Sequence, residues 1–190
     1  MPAKNTADRF GWVAQGLHWI IAVMILMQWF MIEWAEEAEH ARKTDPAAAL
    51  EQLAWMTRHK AFGMTILGLA IVRLAWRWLS PPPPWPPAMP QWQVYLARGV
   101  HYAVYLLIFL MPISGWIVSS TGNRPVSYFG LFTFPDLVGP DKALHKQFEE
   151  VHEIAFNVLV GLVIVHVVAA LKHQFVDKDG VLGRMLPWRA

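Results

Sequence analysis

Two histidines, His152 and His166, stand fourteen residues apart in the last long apolar stretch of this chain. At ~3.6 residues per turn that spacing is nearly four whole turns, so both imidazoles leave an α-helix from nearly the same face. At ~1.5 Å per residue they are roughly 21 Å apart along it. Ionisable side chains inside a membrane bundle are costly and mark function by default, and iron ligation is one such function. One helix with two inward rings at two depths offers half of the ligand set for two stacked haems.

The elements that must position those rings follow from composition. The chain has 190 residues, 55% of them hydrophobic, with 11 Trp and 9 Met and only 16% charged. The apolar residues fall in blocks at 17–34, 61–72 (extending past Arg73 to Trp76), 99–120 and 154–171. Each is about long enough to cross a ~30 Å hydrocarbon core with some tilt, and each is apolar nearly all round, unlike a soluble helix with one polar face. The expected fold is all-α, a transmembrane four-helix bundle. It forms a single integral-membrane domain over residues 1–190, with spans near 12–34, 56–79, 95–120 and 147–174. The first apolar run is longer than a signal-peptide core and lacks a small-x-small site after it, so it reads as a retained span. The chain has no cysteine. That removes disulfides, iron–sulfur clusters and covalent c-type haem attachment, so any haem is held non-covalently through His, Met or Tyr.

Four spans put both termini on one side. Nine Lys and Arg, including Lys4, Arg73, Arg98, Lys178 and Arg189, fall on that side and seven on the other; three acidic residues fall on that side and eleven on the other. The positive-inside rule places the termini in the cytoplasm. Residues 80–90 (SPPPPWPPAMP) read as a stiff polyproline-like spacer. Residues 33–53, rich in Glu and Ala, either continue the first helix or form a surface helix. Residues 122–146 carry Pro, Gly and four aromatics and read as a loop on the membrane interface.

This topology gives each histidine a depth. His59 and His152 lie near the outer face, while His18 and His166 lie toward the cytoplasm together with His101 and His173. His40 and His145 fall in outer connections. A bis-His haem needs one ring from each of two helices, so His59 pairs with His152, and His166 pairs with His18 or with its rival His101. Gly16, Gly63 and Gly161 are candidates for admitting a flat macrocycle, or else for helix packing. Zinc needs three or four ligands at one depth, often with carboxylates, and the spans offer no such cluster.

The chain resembles the bacterial cytochrome b561 family of di-haem inner-membrane proteins. The matching segments are Gly16-Leu17-His18-Trp19, His59-Lys60-Ala61-Phe62-Gly63 with Val72-Arg73-Leu74, and His101-Tyr102-Ala103-Val104-Tyr105-Leu106 running to Met111-Pro112-Ile113-Ser114-Gly115. The last are His152-Glu153, His166, Ala169-Ala170-Leu171-Lys172-His173, Asp177-Lys178-Asp179 and Arg184-Met185-Leu186-Pro187. The resemblance implies two haem b groups with axial ligands His18, His59, His152 and His166. It makes His101 and His173 surroundings of the inner haem rather than ligands. It further implies a multi-pass protein of the bacterial inner (plasma) membrane and, since the family includes a superoxide oxidase, a superoxide:quinone oxidoreductase activity with ubiquinone as acceptor.

The wider set of candidates follows from charge and depth. Arg58 and Lys60 flank His59 and serve either an outer anionic donor or haem propionates. Arg73, Arg77, His101, Lys172 and His173 line the cytoplasmic side, where a quinone takes electrons and protons. The expected partners are the lipid bilayer, ubiquinone and a small outer-face donor or a redox partner protein, with no nucleic acid. Two other readings stand beside electron transfer by a free-standing enzyme. One is a haem-bearing membrane anchor subunit of a hydrogenase or dehydrogenase complex, the other a haem-free scaffold.

Overall fold

The computed structural model describes residues 2–186; Pro187 of the C-terminal motif and Arg189 of the basic tail lie outside the described residues. Four long helices dominate: α1 (Trp12–Ala41), α2 (Ala48–Leu79), α3 (Gln91–Thr121) and α4 (Lys142–Lys172). At ~1.5 Å per residue each exceeds 40 Å, more than the ~30 Å hydrocarbon core demands. All four are apolar and long enough to cross a membrane. Large side chains such as Ile20, Val23 and Leu26 on α1 and Ile164, Val165 and Val168 on α4 are exposed, as lipid-facing residues must be.

The 33–53 segment resolves into helix on both sides of a tight turn. α1 runs on to Ala41 and α2 begins at Ala48. Ala35 and Ala38 of α1 and Ala48 of α2 are buried. Small side chains let the two backbones approach, so this seam holds the pair together beyond the membrane despite its acidic exterior. Trp34 on Trp55, with ring centroids 4.6 Å apart, closes the seam.

The 122–146 connection is more ordered than the loop expected from its composition. Strands β1 (Val126–Tyr128) and β2 (Phe132–Phe134) pair antiparallel, Val126 opposite Phe134 and Tyr128 opposite Phe132. Phe129 (φ 50°) and Gly130 (φ 75°) supply the left-handed turn. Phe62 packs on Phe129, which lays the hairpin against α2. Asp141 then starts α4 by accepting from the Ala143 and Leu144 amides at 2.8 and 3.0 Å.

α1 lies along α2, α3 along α4, and α2 touches α3. Among the described residues α4 packs its backbone far less closely on α1 or α2 than on α3 and meets them through side chains, Trp29 on Phe156 and Ile25 against the Ala155–Leu159 cluster among them. Leu107, Ala155 and Leu159 form the buried apolar centre, with Ile25, Val104, Leu110 and Met111 around it. On α4 this plug falls between His152 and His166.

Candidate functional site

At one end of the bundle, α2 and α4 bring His59 and His152 together with ring centroids 6.4 Å apart and planes at 77°. α3 supplies the support. Pro112 lacks the amide that would bond the carbonyl one turn back, and Ser114 follows it, fully buried. Ser114 Oγ lies 2.9 Å from the Met111 carbonyl and 2.9 Å from His152 Nδ1. Both bonds exist at once only if Ser114 donates to Met111 and His152 Nδ1–H donates to Ser114. The lone pair of His152 is thereby left on Nε2, the outer-shell arrangement that readies an imidazole for a metal. Gly115 gives the ring room, because a Cβ on it would stand 3.1 Å from His152 Cε1, a tight contact that would press on the imidazole. His59 is tethered through its backbone, whose carbonyl accepts from Gln28 Nε2 at 3.0 Å. Its buried Nδ1 has no partner among the described residues.

Arg58 and Lys60 are engaged beside this pair. The Arg58 guanidinium sits 4.6 Å from the Trp55 ring centre. Lys60 Nζ donates to the Arg124 carbonyl at 3.2 Å, tying α2 to the start of the hairpin.

At the other end, His18 of α1 and His166 of α4 stand 6.1 Å apart at 67°. His101 of α3 stands 5.3 Å from His166. Trp19 packs edge-on to His18 while its Nε1 donates to the Met185 carbonyl at 2.9 Å. Trp85, from the proline-rich spacer, stacks on His101 at 6.2 Å and 15°. Arg73 Nε donates to Tyr105 Oη at 3.0 Å, and Arg77 also faces the Tyr105 ring. Lys172 and His173 are held elsewhere. Lys172 Nζ pairs with Asp177 Oδ2 at 2.5 Å, and His173 Nδ1 bonds Asp179 Oδ2 at 2.6 Å and Asp177 Oδ2 at 3.1 Å. His173 lies seven residues, about 10 Å, beyond His166.

The remaining sequence candidates sort out structurally. His145 Nδ1 bonds the Val118 carbonyl and Thr121 Oγ1, closing the end of α3, and His40 Nδ1 bonds the Glu36 carbonyl. Gly161 is exposed on the outside of α4 and does not face either imidazole pair, since nine residues from His152 is half a revolution of helix. Gly63 admits Gln28, whose Nε2 would lie 3.3 Å from a Cβ there, and Gly16 has open space beside it.

A metal bridging two imidazoles with bonds of about 2 Å on each side puts the ring centres about 6 Å apart. The 6.4 and 6.1 Å pairs suit that geometry, whereas the 5.3 Å of His101 and His166 is short for it. Both suitable pairs bridge α4 to helices whose backbones stand away from it, which is the space a flat macrocycle needs. Sequence reasoning reached the four rings. It missed Ser114, Gln28, Tyr105, Trp76 and Trp85, although Ser114 and Tyr105 stand in the segments that carry the resemblance and a Trp N–H turned inward needs a partner.

Residues 9–188 match the family model described as prokaryotic cytochrome b561. The chain is 31% identical to cytochrome b561 homolog 2 of Escherichia coli (strain K12), over 98% of this chain and 95% of that protein. It is 29% identical to the probable superoxide oxidase CybB of Yersinia pestis, over 90% and 92% of the two chains. It is 30% identical to cytochrome b562 of Cereibacter sphaeroides, over 90% of each. A family match across nearly the whole chain, joined to four membrane-length helices, makes this protein a member of the prokaryotic cytochrome b561 family of transmembrane b-type cytochromes.

Proposed function

We propose that this protein moves electrons across the bacterial inner membrane between two b-type haems, one held by His59 and His152 and the other by His18 and His166, from an outer-face donor to ubiquinone. The observation that carries the reading is the presence of two facing imidazole pairs, at 6.4 and 6.1 Å, at opposite levels of one bundle. A haem so ligated cycles between ferric and ferrous iron one electron at a time and has no open iron position for oxygen.

The chain's own residues shape the rest. Ser114 keeps His152 in the tautomer that presents Nε2. Leu107, Ala155 and Leu159 exclude water from the middle of the path. The end bearing His18 and His166 has eight basic and three acidic side chains among the described residues, against seven and eleven at the other end. The positive-inside rule, which counts Lys and Arg alone, reads the end with eight of them against seven as the cytoplasmic one. At that end Arg73, Arg77 and His101 form the surroundings in which a quinone takes two electrons and two protons, while Lys172 and His173, bound to Asp177 and Asp179, stand further out. His173, bound to Asp177 and Asp179, is the proposed carrier of a proton from the cytoplasmic side.

The donor tested first is superoxide. Two superoxide ions each give one electron and leave as dioxygen for every quinone reduced. The test mixes the purified full-length protein with a superoxide source and records the visible spectrum, then quinol formation. Bleaching of the ferric bands into split ferrous b-type bands, followed by quinol, supports the reading. Spectra inert to superoxide remove that donor.

The acidic surplus at the outer end favours a second reading, because it repels an approaching anion. There the donor is a redox protein with a basic face, and this chain is the haem-bearing anchor of a hydrogenase or dehydrogenase complex. Co-purification with a partner that reduces the haems, together with inertness to superoxide, selects it.

A further inference from the structure

We propose that Arg73 and Trp76 clasp a carboxylate, a propionate of the haem held by His18 and His166. The inference rests on that haem being present.

Three residues apart on α2, the two side chains share one helix face. Arg73 Nε is spent on Tyr105 Oη at 3.0 Å. Arg73 Nη1 and Trp76 Nε1 are buried and have no hydrogen-bond partner among the described residues. A buried donor left unpaired is costly, more so when charged, so two of them on one helix face point to a missing acceptor.

The space they face says which acceptor. Arg73 and Trp76 line a cavity of about 30 Å³ with Asn5, Ser80, Tyr105 and Met185. Pockets for whole organic ligands start near ~300 Å³, so a quinone ring is excluded and a carboxylate fits. The other polar groups there are already committed. Asn5 Nδ2 donates to the Ser80 and Pro81 carbonyls at 2.8 and 3.1 Å, and Asn5 Oδ1 accepts from the Gly11 amide at 2.8 Å. What remains is Arg73 Nη1 and Trp76 Nε1, with the Arg77 guanidinium also on the lining, a set of donors that an acceptor-only anion satisfies. Arg73 also lies within electrostatic reach of His18, His101 and His166, which puts the cavity beside the right imidazole pair.

A roof closes the site. Asn5 N donates to Ser80 Oγ at 2.8 Å and Arg184 Nη1 to the Pro84 carbonyl at 2.7 Å, so the N-terminal segment, the proline-rich spacer and the C-terminal tail are knitted together above it.

The test is a redox titration, followed by visible spectra across a pH series, of the full-length protein and its Arg73→Gln, Arg73→Lys and Trp76→Phe variants. Removing a cation or donor from a propionate favours the ferric state, so one midpoint falls while the other holds. The expected change for Arg73→Gln is about tenfold in the redox equilibrium, 59 mV for one electron, with about two- to threefold for Trp76→Phe and recovery in Arg73→Lys. That midpoint also gains a pH dependence as the carboxylate becomes easier to protonate. Two retained haems with unchanged midpoints and pH profiles in Trp76→Phe and Arg73→Gln overturn the clasp alone. If Arg73→Gln does not fold, Trp76→Phe, which keeps the ring and loses only the N–H, decides. A wild-type protein with fewer than two haems overturns the underlying function and the clasp with it.

Discussion

The two ends of the bundle hold an imidazole pair at nearly the same separation, 6.4 Å at one and 6.1 Å at the other, yet they surround it in opposite ways. At the His59–His152 end one ring is locked by a buried serine, and the nearby cations are tied to Trp55 and Arg124. At the His18–His166 end a third imidazole crowds the pair, Trp19 and Trp85 pack on the rings, and two buried donors have no partner among the described residues. The same ligand geometry thus sits in an acidic, serine-anchored setting and in a basic, roofed one. Helix period fixes where the rings are; what packs around them tunes what they do.

The comparison breaks most sharply at the ligands. His152→Ala should remove one haem and spare the other, His166→Ala should remove the other, and the double variant should be colourless; haem counted per chain, with redox titration to say which remains, checks this. Next, His18→Ala should lose a haem while His101→Ala keeps both, separating the true partner of His166 from its neighbour by the same count. Ser114→Ala should weaken haem retention at the His59–His152 end by about 10–100-fold, the usual effect of losing an outer-shell partner, and leave the other end unchanged; the rate of haem transfer to an apo-globin reports it. The smallest effect is electrostatic. Replacing the exposed Glu36, Glu37 and Glu39 by Gln should speed reduction by an anionic donor roughly two- to fivefold at low salt and not at high salt, because surface charges act within the ~10 Å Debye length at 0.1 M.

The helices were readable because each carries an apolar run of membrane length, and the four imidazoles proposed as ligands were noticed because they stand out against such runs. The 33–53 segment was readable only as helix of some kind: its Glu-rich outer face suggested a surface element, and the Ala35–Ala38–Ala48 seam that settles it depends on how two helices approach. The β-hairpin escaped because three-residue strands are too short to show a period of two. Ser114, Trp76 and Tyr105 escaped as site residues for a different reason. Each is a single polar group on an apolar helix; Ser114 meets His152 and Tyr105 meets Arg73 from helices that the sequence does not bring near, and Trp76 Nε1 has no partner among the described residues. Arg58 and Lys60 were legible as cations beside His59, while their commitment to Trp55 and to the Arg124 carbonyl is a matter of tertiary contact.

The central claim is that two haems lie one above the other between the imidazoles of α1, α2 and α4. The most direct measurement is haem content per full-length chain, combined with a potentiometric titration of the visible spectrum. Two haem b per chain should titrate as two one-electron components, with the component lost in His152→Ala distinct from the one lost in His166→Ala. A single haem at full occupancy, or two that both survive either substitution, would contradict it.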